Sequence, residues 1–223
     1  MRSLAPSSDA VVIIDVLSFS TAVDIAVTNG AAVLPHRWGD ASAAAYAKSK
    51  GALLAGRRGD RGQYSLSPAS LRSIPSGAAL VLPSPNGSTL SLSAGGAVVI
   101  TACLRNCEAV AARVREFGSR IGVVPAGEQW SDGTLRPCVE DLVGAGAVLA
   151  SLGGSRSPET ELAVAAFEHF RGNLYDAIAN SGSGRELIER GFAEDVEWAA
   201  EYAGSSAVPV LRGDRFTQLP DHG

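Results

Sequence analysis

Residues 11–23, VVIIDVLSFSTAV, decide how this chain folds. Four apolar residues lead directly into Asp15, and a turn carrying Ser18, Ser20 and Thr21 precedes an apolar helical stretch. A continuous apolar run of this kind is typical of a parallel strand that is buried on both faces. Ligands in α/β proteins collect at the carboxyl ends of such strands. The segment therefore predicts a strand that ends at a binding or catalytic site.

The chemistry of this turn favours an anionic ligand, but it also has a purely structural interpretation. Asp15 lies where a metal or a reacting group would be held. The hydroxyl side chains lie where the free N–H groups at a helix start can receive an anion. Alternatively, an aspartate at a strand end simply caps its own turn. This segment alone leaves both interpretations open.

The rest of the chain alternates between predicted strands and predicted helices. The strands are predicted at residues 11–15, 31–35, 52–55, 78–82, 97–102, 121–125 and 208–211. The helices are predicted at 20–28, 40–50, 107–117, 139–152, 158–170, 184–190 and 194–202. This alternation predicts a three-layer α/β/α fold with a mostly parallel or mixed sheet.

The domain organisation predicted from these elements is simple. Residues 1–9 form a short polar segment, residues 10–211 form a single α/β domain, and residues 212–223 form a tail of surface chain. Residues 11–35 and 98–125 both follow the order strand, polar turn, helix, strand, which suggests two related βαβ halves with their strand ends facing one cleft. Any two βαβ units look alike at this level, so the repeat is a weak expectation.

Composition narrows the class of protein. The chain has 223 residues, of which 46% are hydrophobic and 19% are charged, as in a well-buried globular enzyme. A net charge of −4 without a basic run argues against nucleic acid as a partner. No apolar stretch reaches transmembrane length, and no signal-peptide core is present, so we expect no membrane contact and a cytoplasmic location. A homodimer is the expected assembly.

The usual catalytic signatures are absent, which directs attention to the polar turns. The chain has no G-x-S-x-G, no H-E-x-x-H and no phosphate-binding P-loop. Polar turns remain at 84–88 and 105–106, and Glu140-Asp141 opens an apolar helix. Two acids in a first helical turn can simply complement the helix dipole. At the start of a buried helix, however, they are also good candidates for a Mg²⁺ site.

At this point the sequence resembles a known family, the 2-phosphosulfolactate phosphatases of coenzyme M biosynthesis. The resemblance covers residues 9–211 and rests on the shared order of short motifs: DVLSFSTAV at 15–23, NG at 29–30, GRRG at 56–59, LSP at 66–68, PSPNGS at 83–88, CLRN at 103–106, PAG at 125–127 and VEDLVGAG at 139–146. It implies a three-layer α/β/α fold and a Mg²⁺-dependent acid phosphatase. The implied reaction converts 2-phospho-3-sulfolactate to 3-sulfolactate and phosphate.

The resemblance also implies roles for individual residues. Asp15, Glu140 and Asp141 are the implied catalytic residues and Mg²⁺ ligands, with one carboxylate acting as general base or nucleophile. The implied substrate-binding residues are Thr21, Ser67, Asn86, Gly87, Ser88 and Asn106. Ser18, Ser20 and Arg58 are further candidates to bind substrate because of their own chemistry and their place near the strand end. A small anionic phosphomonoester is the implied partner.

Two departures from the family pattern affect the expected anion site. The family usually has Leu-Arg-Ala-Thr after the strand-end aspartate, whereas this chain has LSFS at 17–20 and so lacks an arginine that could clamp an anion. The family's Gly-Glu-Arg is GRR at 56–58 here. Arg57, Arg58, Arg61 and Arg105 are candidates to compensate. Two alternatives follow: a phosphatase for another small anionic phosphomonoester, or a catalytically silent descendant that binds an anion.

Overall fold

The computed structural model describes residues 4–60 and 62–221. The strands are β1 (Ala10–Ile14), β2 (Ala32–His36), β3 (Leu53–Leu54), β4 (Ala79–Pro83), β5 (Val98–Ala102), β6 (Ile121–Pro125), β7 (Glu128–Gln129), β8 (Leu135–Arg136), β9 (Pro209–Arg212) and β10 (Arg215–Gln218). The α-helices are α1 (Phe19–Thr28), α2 (Ala41–Lys50), α3 (Gly87–Ser91), α4 (Cys107–Arg113), α5 (Val139–Leu152), α6 (Pro158–Phe170), α7 (Leu174–Ala179), α8 (Gly182–Glu189) and α9 (Ala193–Ala200).

Within the described residues, one eight-stranded sheet organises the molecule, in the order β3-β4-β2-β10-β9-β5-β1-β6. It consists of two parallel triplets, β3-β4-β2 and β5-β1-β6, which the antiparallel hairpin β9-β10 joins at its centre. Helices cover both faces, which confirms the predicted three-layer α/β/α architecture with a mixed sheet.

Helix α1 is the central element on one face of the sheet. It packs against strands of both triplets and against the hairpin, and nine of its ten residues, Phe19 to Val27, are buried. Val11 and Ile13 of β1 face this helix, while Val12 and Ile14 face the opposite layer, which contains α4 and α5. Every residue of β1 is buried, as its apolar run predicts. Because helices cover both faces of β1, the end of this strand and the turn that leads into α1 are held in place.

Helix α5 approaches β1 closely because it carries glycine where it meets its neighbours. A Cβ at Gly144 would lie 2.6 Å from the side chain of Val16, and one at Gly146 would lie 2.0 Å from the carbonyl oxygen of Ala163 in α6. No larger residue fits at either contact unless neighbouring atoms shift: side chains of β1 and of the turn after it at Gly144, and the backbone of α6 at Gly146. The close packing brings the first turn of α5, and with it Glu140 and Asp141, to the end of β1.

The prediction that residues 212–223 form a surface tail is wrong for the part that the structure describes. Residues 215–218 form β10, which lies between β2 and β9 in the middle of the sheet. Phe216 is fully buried and makes an edge-on contact with Phe19, with ring centroids 5.9 Å apart. The sequence of this segment is typical of surface chain, because Phe216 is its one large apolar residue before Leu219.

Several smaller features also differ from the sequence-based expectation. The two segments compared as βαβ repeats take different positions: α4 joins two strands that flank β1, whereas α1 joins β1 to a strand of the other triplet. Helices α3 and α7 and the β7-β8 hairpin were not predicted, because each is short. Within residues 4–60 and 62–221, no helix is both long enough and apolar enough to cross a bilayer.

Candidate active site

A small cavity of about 80 Å³ opens where the end of β1 meets the start of α5 and the residues that follow β6. We call it the carboxylate cavity, because Asp15, Glu128, Glu140 and Asp141 line it. Its other lining residues are Leu17, Ser18, Arg58, Gly127, Arg136, Ser183, Glu186, Leu187 and Arg190. The structure thus brings together the three carboxylates singled out from the sequence, along with Ser18 and Arg58.

Asp15 sits at the carboxyl end of β1 and is buried. Its Oδ2 accepts a hydrogen bond of 3.2 Å from the backbone N–H of Gly87, which connects it to the turn after β4. Burial removes water from the carboxylate and raises its pKa to about 7, and the negative charge of Glu128 adds to this effect. Asp15 is therefore poised to exchange a proton near neutral pH.

Asp141 holds two loops in place through both of its carboxylate oxygens. Oδ1 accepts a bond of 2.8 Å from the N–H of Val16, and Oδ2 accepts one of 2.8 Å from the N–H of Gly127. Burial raises the pKa of Asp141 well above its usual value, and the nearby charge of Asp15 raises it further. Two buried carboxylates in this arrangement repel each other unless a proton or a cation lies with them.

The other two carboxylates of the cavity differ in their partners. Glu140 is 3% exposed, and no donor among residues 4–60 and 62–221 bonds its carboxylate. Glu128 Oε2 accepts a bond of 2.9 Å from Asn86 Nδ2. Glu128 was not predicted from the sequence, although it follows the carboxyl end of β6 as closely as polar residues follow the other strands. Asn86 therefore acts on the cavity through Glu128.

Three arginines form the other wall of the carboxylate cavity. Arg58 Nε donates to Asp195 Oδ2 at 2.8 Å, and its Nη2 donates to the carbonyl oxygens of Leu17 at 2.8 Å and Leu66 at 3.0 Å. Asp195 is buried and also accepts a bond from Ser67 Oγ, so the guanidinium of Arg58 is held in one orientation.

The remaining two arginines of this wall, Arg136 and Arg190, were not predicted. Arg136 makes a bidentate pair with Glu186 at 2.7 and 3.2 Å. Arg190 has no carboxylate at ion-pair distance within the described residues. No local pattern marks either residue, because Arg136 precedes α5 by three positions and Arg190 follows the last residue of α8.

Five residues predicted to bind substrate are buried away from the cavity and use their side chains internally. Each makes a structural hydrogen bond: Ser20 Oγ to Ile13 O, Thr21 Oγ1 to Val16 O, Ser67 Oγ to Asp195, Ser88 Oγ to Leu82 O and Asn106 Nδ2 to Ala207 O. In the structure these side chains shape and hold the turns that carry the cavity residues, and their direct contact with a substrate stays a prediction.

The four arginines that are candidates to replace the missing family arginine differ in position. Arg58 lines the cavity, whereas Arg105 is buried elsewhere and pairs with Asp24 at 2.8 Å. Arg57 lines a larger neighbouring cavity and not the small one. Arg61 lies outside the described residues.

The neighbouring cavity has a volume of about 690 Å³, and we call it the outer cavity. Arg37, Trp38, Arg57 and Ser84 contribute to its walls, and it shares Arg58 and Arg190 with the carboxylate cavity. Its volume lies in the range of small-molecule sites, which the smaller cavity does not reach alone. The two spaces together form one candidate site with an inner and an outer part.

Gly87 is expected to be essential for both packing and site geometry. A Cβ there would lie 2.3 Å from the ring of Phe19, which is fully buried. We expect Gly87→Ala to lower the free energy of unfolding by about 1–3 kcal/mol and to reduce activity, because the N–H that bonds Asp15 moves with the turn. Urea unfolding and phosphate release would measure both effects. Gly96→Ala is the control, since nothing lies within 4 Å of a Cβ at that position; equal losses in the two variants would contradict the prediction.

Comparisons with known proteins identify the family of this chain. A family model described as 2-phosphosulpholactate phosphatase matches residues 2–214. The 2-phosphosulfolactate phosphatase of Methanothermobacter thermautotrophicus is 31% identical over 213 residues, spanning 94% of this chain and 90% of that protein. Proteins named probable 2-phosphosulfolactate phosphatase from Carboxydothermus hydrogenoformans and Thermus thermophilus are each 30% identical, over 90% and 92% of this chain and 85% and 89% of their own lengths. This chain therefore belongs to the 2-phosphosulfolactate phosphatase family.

Proposed function

We propose that this protein is a Mg²⁺-dependent phosphatase that hydrolyses 2-phospho-3-sulfolactate to 3-sulfolactate and phosphate. The observation that carries the proposal is the carboxylate cavity, in which buried acids face Arg58, Arg136 and Arg190. Such a site can hold a phosphoryl group by its charge and can supply a base to activate water. The names of the relatives support the choice of substrate.

The donor set suits a hard divalent cation. Mg²⁺ is usually bound through one or two carboxylates together with waters and substrate oxygens. Within residues 4–60 and 62–221, no cluster of three or more His, Cys, Asp or Glu side chains is arranged to hold a metal. The pair Asp15 and Asp141 is therefore proposed as the protein ligands of Mg²⁺, with waters and substrate oxygens completing its coordination. When bound, Mg²⁺ neutralises charge that develops on the phosphoryl oxygens.

The residues of the chain itself divide the remaining tasks. Glu140 is proposed as the base that takes a proton from water, because its carboxylate faces the cavity and meets no protein donor among the described residues. Arg58 is already oriented by Asp195, so its guanidinium binds an anion with little further loss of freedom. Asp141 holds the loops at Val16 and Gly127 at the positions that the cavity requires.

A second candidate is a phosphatase for another small anionic phosphomonoester. It is favoured by two features: Ser18 brings no guanidinium to the first turn, and the outer cavity is far larger than the inner one. A catalytically silent anion-binding protein is the third candidate. It requires that the carboxylates serve only to hold the fold.

Phosphate release is the experiment that separates these candidates. We expect the protein to release phosphate from 2-phospho-3-sulfolactate with Mg²⁺ and to lose nearly all turnover with a chelator. A panel of other small phosphomonoesters is tested alongside. Turnover of another ester alone would move the assignment to the second candidate. No turnover of any ester by folded protein, with a thermal shift on adding 3-sulfolactate, would favour the third.

A further inference from the structure

Arg58 and Arg190 occupy the border between the carboxylate cavity and the outer cavity, since both residues line both spaces. Their guanidinium carbons lie over the same aromatic ring, at 5.8 Å (Arg58) and 5.6 Å (Arg190) from the centre of Phe192. Arg190 immediately follows α8, and Arg58 comes from the loop after β3. Two distant parts of the chain therefore place positive charge at one boundary.

The three cationic side chains of the site differ in how their guanidinium groups are paired within the described residues. Arg136 is matched by the bidentate carboxylate of Glu186. Arg58 has Asp195 on its Nε, but no acceptor among the described residues meets its Nη1. Arg190 has no carboxylate at ion-pair distance in the same residues. Burial lowers the pKa of Arg58, and the like charge of Arg190 lowers it further, so an anion between the two would relieve their repulsion.

The sizes of the two cavities allow a substrate to divide between them. The inner cavity, at about 80 Å³, holds little more than one compact group, since a water molecule takes up about 30 Å³. A phosphoryl group placed there leaves the rest of the substrate in the outer cavity of about 690 Å³. Any second anionic group attached one or two carbons away then lies at the border.

We propose that Arg58 and Arg190 bind the second anionic group of the substrate, and that Arg190 supplies the guanidinium that position 18 lacks. The inference rests on the proposed function, because it assumes a phosphomonoester with a second anion. The group recognised is a compact oxyanion such as a sulfonate or a carboxylate. Arg190 is then a residue that determines specificity and takes no part in bond cleavage.

Arg190→Gln tests the proposal, because it removes the charge while retaining a polar side chain. For 2-phospho-3-sulfolactate we expect KM to rise about tenfold or more with kcat nearly unchanged, as for one lost charge-assisted hydrogen bond. For glycerol 2-phosphate, which has no second anion, we expect KM to change less than about twofold. Calorimetry should show the same loss of affinity for 3-sulfolactate. Arg185→Gln is the control, since Arg185 lies in α8 and lines neither cavity.

The possible results separate this inference from the proposed function. Equal KM rises for both esters, or equal effects of Arg190→Gln and Arg185→Gln, would overturn the inference while leaving the phosphatase activity in place. Absence of phosphosulfolactate turnover by the wild type, with 3-sulfolactate binding that still depends on Arg190, would overturn the proposed function and support the inference. A wild type that neither turns over the ester nor binds 3-sulfolactate would overturn both.

Discussion

Replacing Asp15 by asparagine is expected to remove phosphate release, by a factor on the order of 10³ or more, as when a group that acts on transition-state charge is lost. Asparagine keeps the size of the side chain and one oxygen that can accept the N–H of Gly87. The loss therefore reflects charge and proton exchange, not collapse of the turn. Phosphate release per folded molecule measures it. Normal activity in Asp15→Asn would remove Asp15 from the mechanism.

The same variant is expected to be more stable than the wild type when no metal is present above neutral pH. The pKa of Asp15 is raised from 3.8 to about 7 in the folded state, so between these values the folded protein binds more protons than the unfolded chain. The contribution of Asp15 to wild-type stability then falls as pH rises from about 4 to above 7, by a few kcal/mol at most, at about 1.4 kcal/mol per pKa unit. Asparagine does not ionise, so this fall should be smaller in the variant.

Thermal unfolding with a chelator at pH 5 and pH 8 measures this difference. Asp9→Asn provides the control of opposite sign, because hydrogen bonds from Arg120 lower the pKa of Asp9 to about 2. That variant should lose stability at pH 8 relative to the wild type. A pH dependence that is identical in Asp15→Asn and the wild type would show that another group carries the titration.

Arg105→Leu is expected to cause the largest loss of stability, about 3–5 kcal/mol, which is typical when one member of a buried ion pair is removed. Arg105 is 5% exposed and bonds Asp24, which is fully buried, while its Nη1 pairs with Glu201. Without Arg105, the carboxylate of Asp24 is left buried with the Ser205 hydroxyl as its remaining side-chain donor. Urea unfolding measures the effect.

A second substitution distinguishes loss of pairing from loss of packing. Adding Asp24→Asn to Arg105→Leu should restore part of the stability, because the uncompensated charge is gone. Phosphate release per folded molecule should stay near the wild-type value, since Arg105 lines neither the carboxylate cavity nor the outer cavity. No recovery in the double variant would show that Arg105 acts mainly through packing, including its contact with the ring of Trp198.

The sequence was sufficient to place Asp15, because a buried strand has an apolar pattern that ends abruptly at a polar residue. It also placed Glu140 and Asp141, since α5 is apolar throughout and its two acids stand at its start. The directions of the hydroxyl side chains were not predictable. Ser20 and Thr21 lie in the first turn of α1, and because this helix is buried on nearly all sides, both hydroxyls face the interior.

The site residues and the strand that were not predicted from the sequence were missed for a different physical reason. Glu128 lies in a short segment without a periodic pattern, and Arg190 lies at the end of a predicted helix whose pattern does not show which cavity it faces, so only the tertiary fold places them at the site. Strand β10 was missed because it is short and has one large apolar side chain, Phe216, so its pairing with β2 and β9 leaves little signal in the sequence. Backbone pairing of this kind depends on which neighbours are present, and sequence patterns report that poorly.

The central position of the β9-β10 hairpin has a consequence for the order of events during synthesis. Both parallel triplets leave the ribosome before residues 209–218, and until then β2 and β5 each lack a partner strand on the side that later pairs with the hairpin. Open strand edges invite pairing with other chains. The nascent protein is therefore most prone to aggregate just before β9 and β10 emerge. Pairing of this hairpin with β2 and β5 then joins the two triplets into one sheet.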